Sequence, residues 1–179
     1  MRVPLLGAAA LLLIAVFAGP AFTQSVVTEE VEGVRNFRRI GTTIACAGAI
    51  TTDAVPEIAR MGFASIINLR LAEEPGNDVE GARAAAETAG VNYIHIPWDG
   101  SDNFDVFTQF LDAMEQSGVE PAFIHCAGGG RAATMWMIKR ISLDHWDVRQ
   151  AEEEAIALGA GNPERRRFAI RFAQANHRM

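Results

Sequence analysis

Cysteine is scarce: the 179 residues hold only Cys46 and Cys126. Two cysteines are too few for a disulfide-stapled scaffold. The four histidines are scattered without the short spacings of a zinc site, so the residues call for no metal and no cofactor. Positive charge is in deficit as well. With 16 Lys and Arg against 22 Asp and Glu, the formal net charge is −6, the wrong sign for a nucleic-acid surface. No internal repeat, low-complexity segment or second domain is visible, and beyond the first residues no apolar stretch is long enough to span a bilayer.

The start of the chain reads differently. Met1-Arg2 and the apolar run Val3 to Ala18 have the pattern of a secretory signal peptide, with Gly19-Pro20-Ala21 as the small-residue cleavage site. Leu5 to Ala18 is shorter than the roughly 20 apolar residues of a spanning helix, so cleavage is favoured over an anchor. The expected organisation is a signal peptide over 1–21, a polar flexible lead-in over 22–40 and one domain over 41–179. The mature protein is expected in the periplasm or secreted, with no membrane attachment.

Strand and helix signals alternate from Thr42 onward. Apolar strands are expected over Thr42 to Ala47, Ala64 to Leu69, Val91 to Pro97 and Ala122 to Ile124. Between them lie helices from Thr51 to Met61, Asp78 to Ala89 and Phe104 to Gln116, stopped by Gly62, Gly90 and Gly118. A motif helix from Arg131 to Ile141 follows, then Val148 to Leu158, then a last helix opened by Asn162-Pro163-Glu164. The alternation predicts an α/β domain: a four-stranded, mainly parallel sheet flanked by helices, with ligands outside the carboxyl ends of the strands. In the last helix Phe168 and Phe172 form the buried stripe, so Arg165-Arg166-Arg167 and Arg171 read as a solvated face.

The chemistry concentrates in His125-Cys126-Ala127-Gly128-Gly129-Gly130-Arg131. A strand ends there, three glycines let the backbone curl, and a helix begins. Backbone N–H groups and the helix dipole then converge on one spot, and Cys126 faces it as a nucleophile beside the Arg131 guanidinium. Packing alone does not explain Cys-x4-Arg at a strand-to-helix turn. The Arg131 fork suits a tetrahedral oxyanion.

This loop resembles that of the cysteine-dependent phosphatases, and more closely the phosphatase-like domain of beta-lactamase-hydrolase-like proteins. The resemblance runs from about Thr42 to Gly159 and includes Ile66-Ile67-Asn68-Leu69-Arg70, Glu73 and Tyr93-Ile94-His95-Ile96-Pro97. It implies a cysteine-phosphatase-like fold, Cys126 as nucleophile, and an anion cradle made by the backbone of Ala127, Gly128, Gly129 and Gly130 with Arg131. Asp99 stands in the loop where related phosphatases carry the general acid, and Asp102 competes for the role. His125 is expected to hold the loop by backbone hydrogen bonds. Arg70 reads as structural, pairing with Glu73 or Glu74, and Met135, Trp136 and Met137 read as core.

Departures from the family pattern keep a second chemistry open. Gly128 and Gly130 replace common polar residues, and Ala47-Gly48-Ala49 replaces the usual Gly-Gln-Pro. Four residues separate Cys126 from Arg131 where cysteine phosphatases have five, and Ala132 stands where they place a hydroxyl. A loop this short resembles that of rhodanese-type sulfurtransferases. The expected partner is therefore a small anionic or phosphorylated substrate, or a sulfane-sulfur donor, with a non-catalytic anion-binding module as the remaining alternative. Cys46, near the end of the first strand, reads as a small buried hydrophobe. The sharper alternative is a reversible redox pair with Cys126.

Overall fold

The computed structural model describes residues 25–176, so the expected signal peptide lies outside the described residues. Two three-residue strands, β1 (Val26–Thr28) and β2 (Arg38–Ile40), precede β3 (Ile44–Ala47). A 3-10 turn at Thr52–Ala54 leads into α1 (Val55–Arg60), then β4 (Ser65–Asn68), α2 (Val79–Ala89) and β5 (Asn92–His95). After α3 (Phe104–Met114) and β6 (Ala122–His125), the motif opens α4 (Gly130–Ser142), and α5 (Val148–Leu158) and α6 (Pro163–Ala175) follow.

Local chemistry sets most of these ends. Asp78, Asn103, Asp147 and Asn162 each accept backbone N–H groups of the helix they precede, which satisfies donors that have no partner inside the helix. Gly90 and Gly159 stop α2 and α5 in the left-handed conformation that glycine adopts without strain. Thr51, expected as a cap, makes no side-chain cap bond. Its carbonyl instead accepts the Ala54 N–H in the 3-10 turn.

Among the described residues the sheet has six strands, in the order β1-β2-β3-β6-β4-β5. The four expected strands are its parallel part, with β6 between β3 and β4. The other two correct the sequence reading. Within the supposed flexible lead-in, β1 pairs antiparallel with β2, and β2 with β3. Both strands are only three residues long, as strands at the margin of a sheet commonly are, and Arg39 on β2 pairs with Glu29 just after β1 at 2.7 Å. Such a segment lacks the apolar run by which a buried strand is recognised.

Alternate residues along the central strands face opposite cores. Phe123, Ile66, Ala45 and Ala47 pack under α1 and α2. Ile124, Ile67, Ile44 and Cys46 pack with Cys126 under the layer of α3, α4, α5 and α6. This period-2 split is what a sheet covered on both faces requires. Within the helical layer α4 is nearly enclosed: Met135, Trp136 and Met137 are all buried, as the sequence predicts. Arg140 locks α4 to α5, its guanidinium lying over the rings of Trp136 and Trp146 and paired with Glu154 at 2.8 Å. The N-terminus of α4, where the motif lies, is thereby fixed against the carboxyl ends of β3, β4, β5 and β6.

Candidate functional site

The loop after β6 is curled by hydrogen bonds from its neighbour. The Cys126 N–H donates to the Ala47 carbonyl at 3.2 Å, and the Ala127 carbonyl accepts the Ala49 N–H at 3.1 Å. The Gly128 carbonyl accepts the Asn36 side-chain amide at 3.2 Å. In a planar trans peptide the carbonyl and the following N–H point opposite ways. Pulling the Ala127 and Gly128 carbonyls outward therefore turns the Gly128 and Gly129 N–H groups inward. The Gly129 N–H does point inward, donating to Cys126 Sγ at 3.1 Å. Gly129 has φ +97°, a conformation that only glycine adopts without strain, and Gly130 starts α4 directly behind it. The sulfur thus accepts one backbone N–H of a glycine loop that opens a helix, an arrangement of the kind that suits an anion.

Arg131, 9% exposed, is held from three sides. Nη1 donates to the carbonyls of Leu69, at 3.3 Å, and of Trp98, while Nη2 pairs with the Glu74 carboxylate at 2.7 Å. Two carbonyls and both oxygens of the Glu74 carboxylate thus engage Nη1 and Nη2, which fixes the plane of the guanidinium at the site. Glu74 is itself fixed by the Leu71 N–H at 3.0 Å and by Arg70 at 3.3 Å. Burial pushes its carboxyl up, but the Leu71 N–H, Arg131 and Arg70 outweigh that and hold it below the ordinary carboxylate range. Arg70 is structural, as expected: it also donates to the carbonyls of Pro75, at 2.6 Å, and Gly76, at 3.1 Å, and its partner is Glu74. The Arg131 contact with Glu74 spans 57 positions of sequence and has no local signal.

Asp99 is exposed and accepts the Ser101 N–H at 2.8 Å, a tight turn anchored by the buried Trp98, whose indole N–H donates to the Ser101 carbonyl at 2.8 Å. Hydrogen bonds from Ser101, and then the Arg131 charge, hold its carboxyl below the usual range. Asp102 instead points to α6 and pairs with Arg171 at 3.3 Å. Asp102 is thus engaged with α6, whereas Asp99 is held within its own turn.

His125 corrects an expectation. Its main-chain carbonyl accepts the Leu69 N–H at 2.9 Å, but the ring is buried and neither ring nitrogen has a hydrogen-bond partner among the described residues. Burial, followed by the charges of Arg70, His95 and Arg131, pushes its pKa down to about 3. The imidazole is neutral packing beneath the loop, and only the main chain holds the strand.

Cys46 and Cys126 are both free and buried. Cys46 pairs in register with Ile124, two residues before Cys126. A strand spacing of about 4.8 Å and a rise of about 3.3 Å per residue put their Cα atoms roughly 8 Å apart. That exceeds the ~7 Å reach of a disulfide, so a redox pair would require the backbone to move.

Sequence reading also missed Arg165. It lies on α6, yet its guanidinium reaches the rim of the cradle: a Cβ built on Gly130 would lie 3.6 Å from Nη1, and one on Gly100 would lie 2.8 Å from Nη2. Nothing in the run Arg165-Arg166-Arg167 singles it out.

The geometry has counterparts among known proteins. Two solved structures share the fold at identities too low to carry more than the fold. A Shewanella putrefaciens chain superposes with a TM-score of 0.65 at 17% identity, covering 83% of this chain and 97% of its own. TpbA of P. aeruginosa, solved in complex with pTyr, gives 0.61 at 17%, covering 86% and 91%. A beta-lactamase hydrolase-like protein of Xylella fastidiosa is 32% identical over 120 residues, 65% of this chain and 26% of the relative. That of Agrobacterium fabrum is 33% identical over 104 residues, 56% and 24% respectively. The chain spans about a quarter of the length of these relatives. The model of the phosphatase-like domain of beta-lactamase hydrolase-like protein matches residues 36–142, from the asparagine that tethers the cradle to the end of α4. The chain belongs to that phosphatase-like domain family.

Proposed function

We propose that the protein hydrolyses a phosphoester by nucleophilic catalysis at Cys126. The observation that carries this reading is the Gly129 N–H directed at Cys126 Sγ within a loop that opens α4, beside an Arg131 fork fixed by Glu74. The sulfur attacks phosphorus, an S–P bond forms and the ester P–O bond breaks. Negative charge developing on the phosphoryl oxygens meets N–H groups and a guanidinium already in place, so little reorganisation is needed. Asp99 gives its proton to the leaving oxygen. Water then attacks phosphocysteine, Asp99 takes a proton back, the S–P bond breaks and inorganic phosphate leaves.

A second reading has a specific observation behind it. No hydroxyl follows Arg131 to assist the departing sulfur, and the next one along the helix, on Thr134, donates to the Gly130 carbonyl at 2.9 Å. Together with the four-residue loop this favours a rhodanese-like sulfurtransferase carrying a persulfide on Cys126. The mature domain is to be assayed with an aryl phosphate and, separately, with thiosulfate plus cyanide. Release of phosphate without thiocyanate supports the hydrolase. Thiocyanate alone transfers the site to sulfur chemistry, and inactivity in both with retained phosphate binding leaves an anion-binding module. In the same proposal residues 1–21 export the protein to the periplasm or medium, which cell fractionation tests.

A further inference from the structure

Three consecutive arginines open α6, and they have three different fates. Arg166 pairs with Glu152 at 2.8 Å and donates to the Ala160 carbonyl, tying α6 to α5. Arg167 is exposed and lies 3.7 Å from Glu164. Arg165 turns inward. Its Nε is buried and has no hydrogen-bond partner among the described residues. Its guanidinium lies between Gly100, the residue after Asp99, and Gly130, the last residue of the cradle, near the face of Trp98 at 5.8 Å.

That position is unfavourable for a cation. Arg165 is in the first turn of α6, where the helix dipole is positive, and a buried charged donor without an acceptor loses its solvation without return. Burial lowers its pKa, and the charges of Cys126 and Arg131 act on it in opposite directions, so it senses both groups of the cradle. The glycines beside it make the seat: a side chain at 100 would strike the guanidinium. Gly100 thus leaves room for a guanidinium whose Nε has no partner among the described residues.

Charge at the site points to what is missing. Arg131 is the cradle's own cation, and Glu74 offsets it at 2.7 Å. A nucleophilic sulfur facing a phosphoester dianion would then meet only N–H groups and the α4 dipole, unless another cation is present. We infer that Arg165 is a second anion-binding guanidinium of this site, holding an oxygen of the tetrahedral oxyanion in the cradle from the side of the Asp99 loop. The inference deepens the proposed phosphoester reading and rests on it only for which oxyanion is bound. Arg165 lies beyond the residues matched by the family model, which end at Ser142.

Inorganic phosphate serves as the probe, and its occupancy is read as protection of Cys126 from iodoacetamide. Arg165→Met should need roughly 10- to 100-fold more phosphate for half-protection, the scale of one lost charged hydrogen-bonding group. Arg165→Lys keeps the charge without the fork and should fall between, whereas Arg167→Met should stay within about twofold of the parent. Protection of Arg165→Met or Arg165→Lys at the parent's phosphate concentration overturns the inference. If Arg165→Met shows no cooperative melt, the lysine variant decides alone. A parent that is protected by phosphate but does not cleave an aryl phosphate loses the hydrolase reading and keeps Arg165. A parent that cleaves it, with Arg165→Met protected normally, loses Arg165 alone. Alkylation of the parent unaffected by phosphate overturns both.

Discussion

Cys46, on β3, and Cys126, just past the neighbouring parallel strand β6, face the same core and are both nearly inaccessible, yet their surroundings share little. Cys46 is inside β3, where the backbone groups are spent on the ladder. Burial pushes its thiol well above the ordinary value, and the charges of Cys126 and Glu154 add to that. Cys126 lies one residue past β6, where the ladder has ended and the chain curls. Its sulfur accepts the Gly129 N–H and lies before the N-terminus of α4. On the proposed reading, burial is therefore not what would separate an inert thiol from a nucleophile. The direction of the surrounding dipoles would, across a shift of two residues along one sheet.

The largest effect should come from exchanging the two sulfurs one at a time. Cys126→Ser should lower aryl phosphate turnover by roughly 10⁴-fold or more, the scale of a lost nucleophile. Cys46→Ala should leave turnover within about threefold and act on stability alone. Similar losses in both variants would mean that the two environments are not functionally distinct.

The Asp99 loop borders the arginine of one cysteine, since the Trp98 carbonyl accepts from Arg131. Asp99→Asn should cut phosphatase turnover by about 10²- to 10⁴-fold, the usual size of a general-acid contribution. Ser101 and Arg131 depress the Asp99 carboxyl, and it must carry a proton to act as an acid. Turnover limited by leaving-group departure should therefore rise as pH falls toward the Asp99 pKa, and this dependence should vanish in Asp99→Asn. If thiosulfate-to-cyanide transfer falls as far in that variant, Asp99 shapes the loop instead of delivering a proton.

Smaller effects should follow from the groups that hold the cradle. Glu74→Gln keeps the shape but releases the Arg131 fork, and kcat should drop roughly 10²-fold, as misplacement of a catalytic group by about 1 Å does. An unchanged kcat would show that the Leu69 and Trp98 carbonyls suffice. His125 carries no catalytic role in this account, but it sets acid tolerance. A histidine with a folded pKa near 3 and an unfolded value near 6.5 takes up its proton only on unfolding through that window. Its contribution is complete above pH 6.5 and lost as pH falls toward 3, about 2 kcal/mol by pH 5. Urea melts of parent and His125→Phe at pH 7.5 and 5 should show the variant losing less on acidification. A parallel loss would place the acid sensitivity elsewhere.

Sequence reading reaches far where signals are local. The four parallel strands, the capped helices and the cradle all follow from apolar runs, glycines and one cysteine-to-arginine spacing, and β3 to β6 lie where those signals put them. What it missed is non-local. β1 and β2 become strands only because β3 offers an edge, and Val26–Thr28 and Arg38–Ile40 lack an apolar run that would announce it. Glu74 was visible beside Arg70 as an i, i+4 pair, but its reach to Arg131 depends on the fold. Arg165 looks like its two neighbours until α6 is docked. The unpartnered ring of His125 has no local signal either, since burial without a partner is decided by packing.

The central claim is that the Cys126 sulfur attacks phosphorus. It is tested most directly by quenching the Asp99→Asn variant in acid soon after mixing with an aryl phosphate and locating the phosphoryl group by peptide mass spectrometry. The account predicts one phosphoryl group on the peptide holding Cys126, none on the peptide holding Cys46, and none at all in Cys126→Ser. Phosphate released by the active parent with no phosphocysteine at any quench time, or a phosphoryl group that persists in Cys126→Ala, would contradict it.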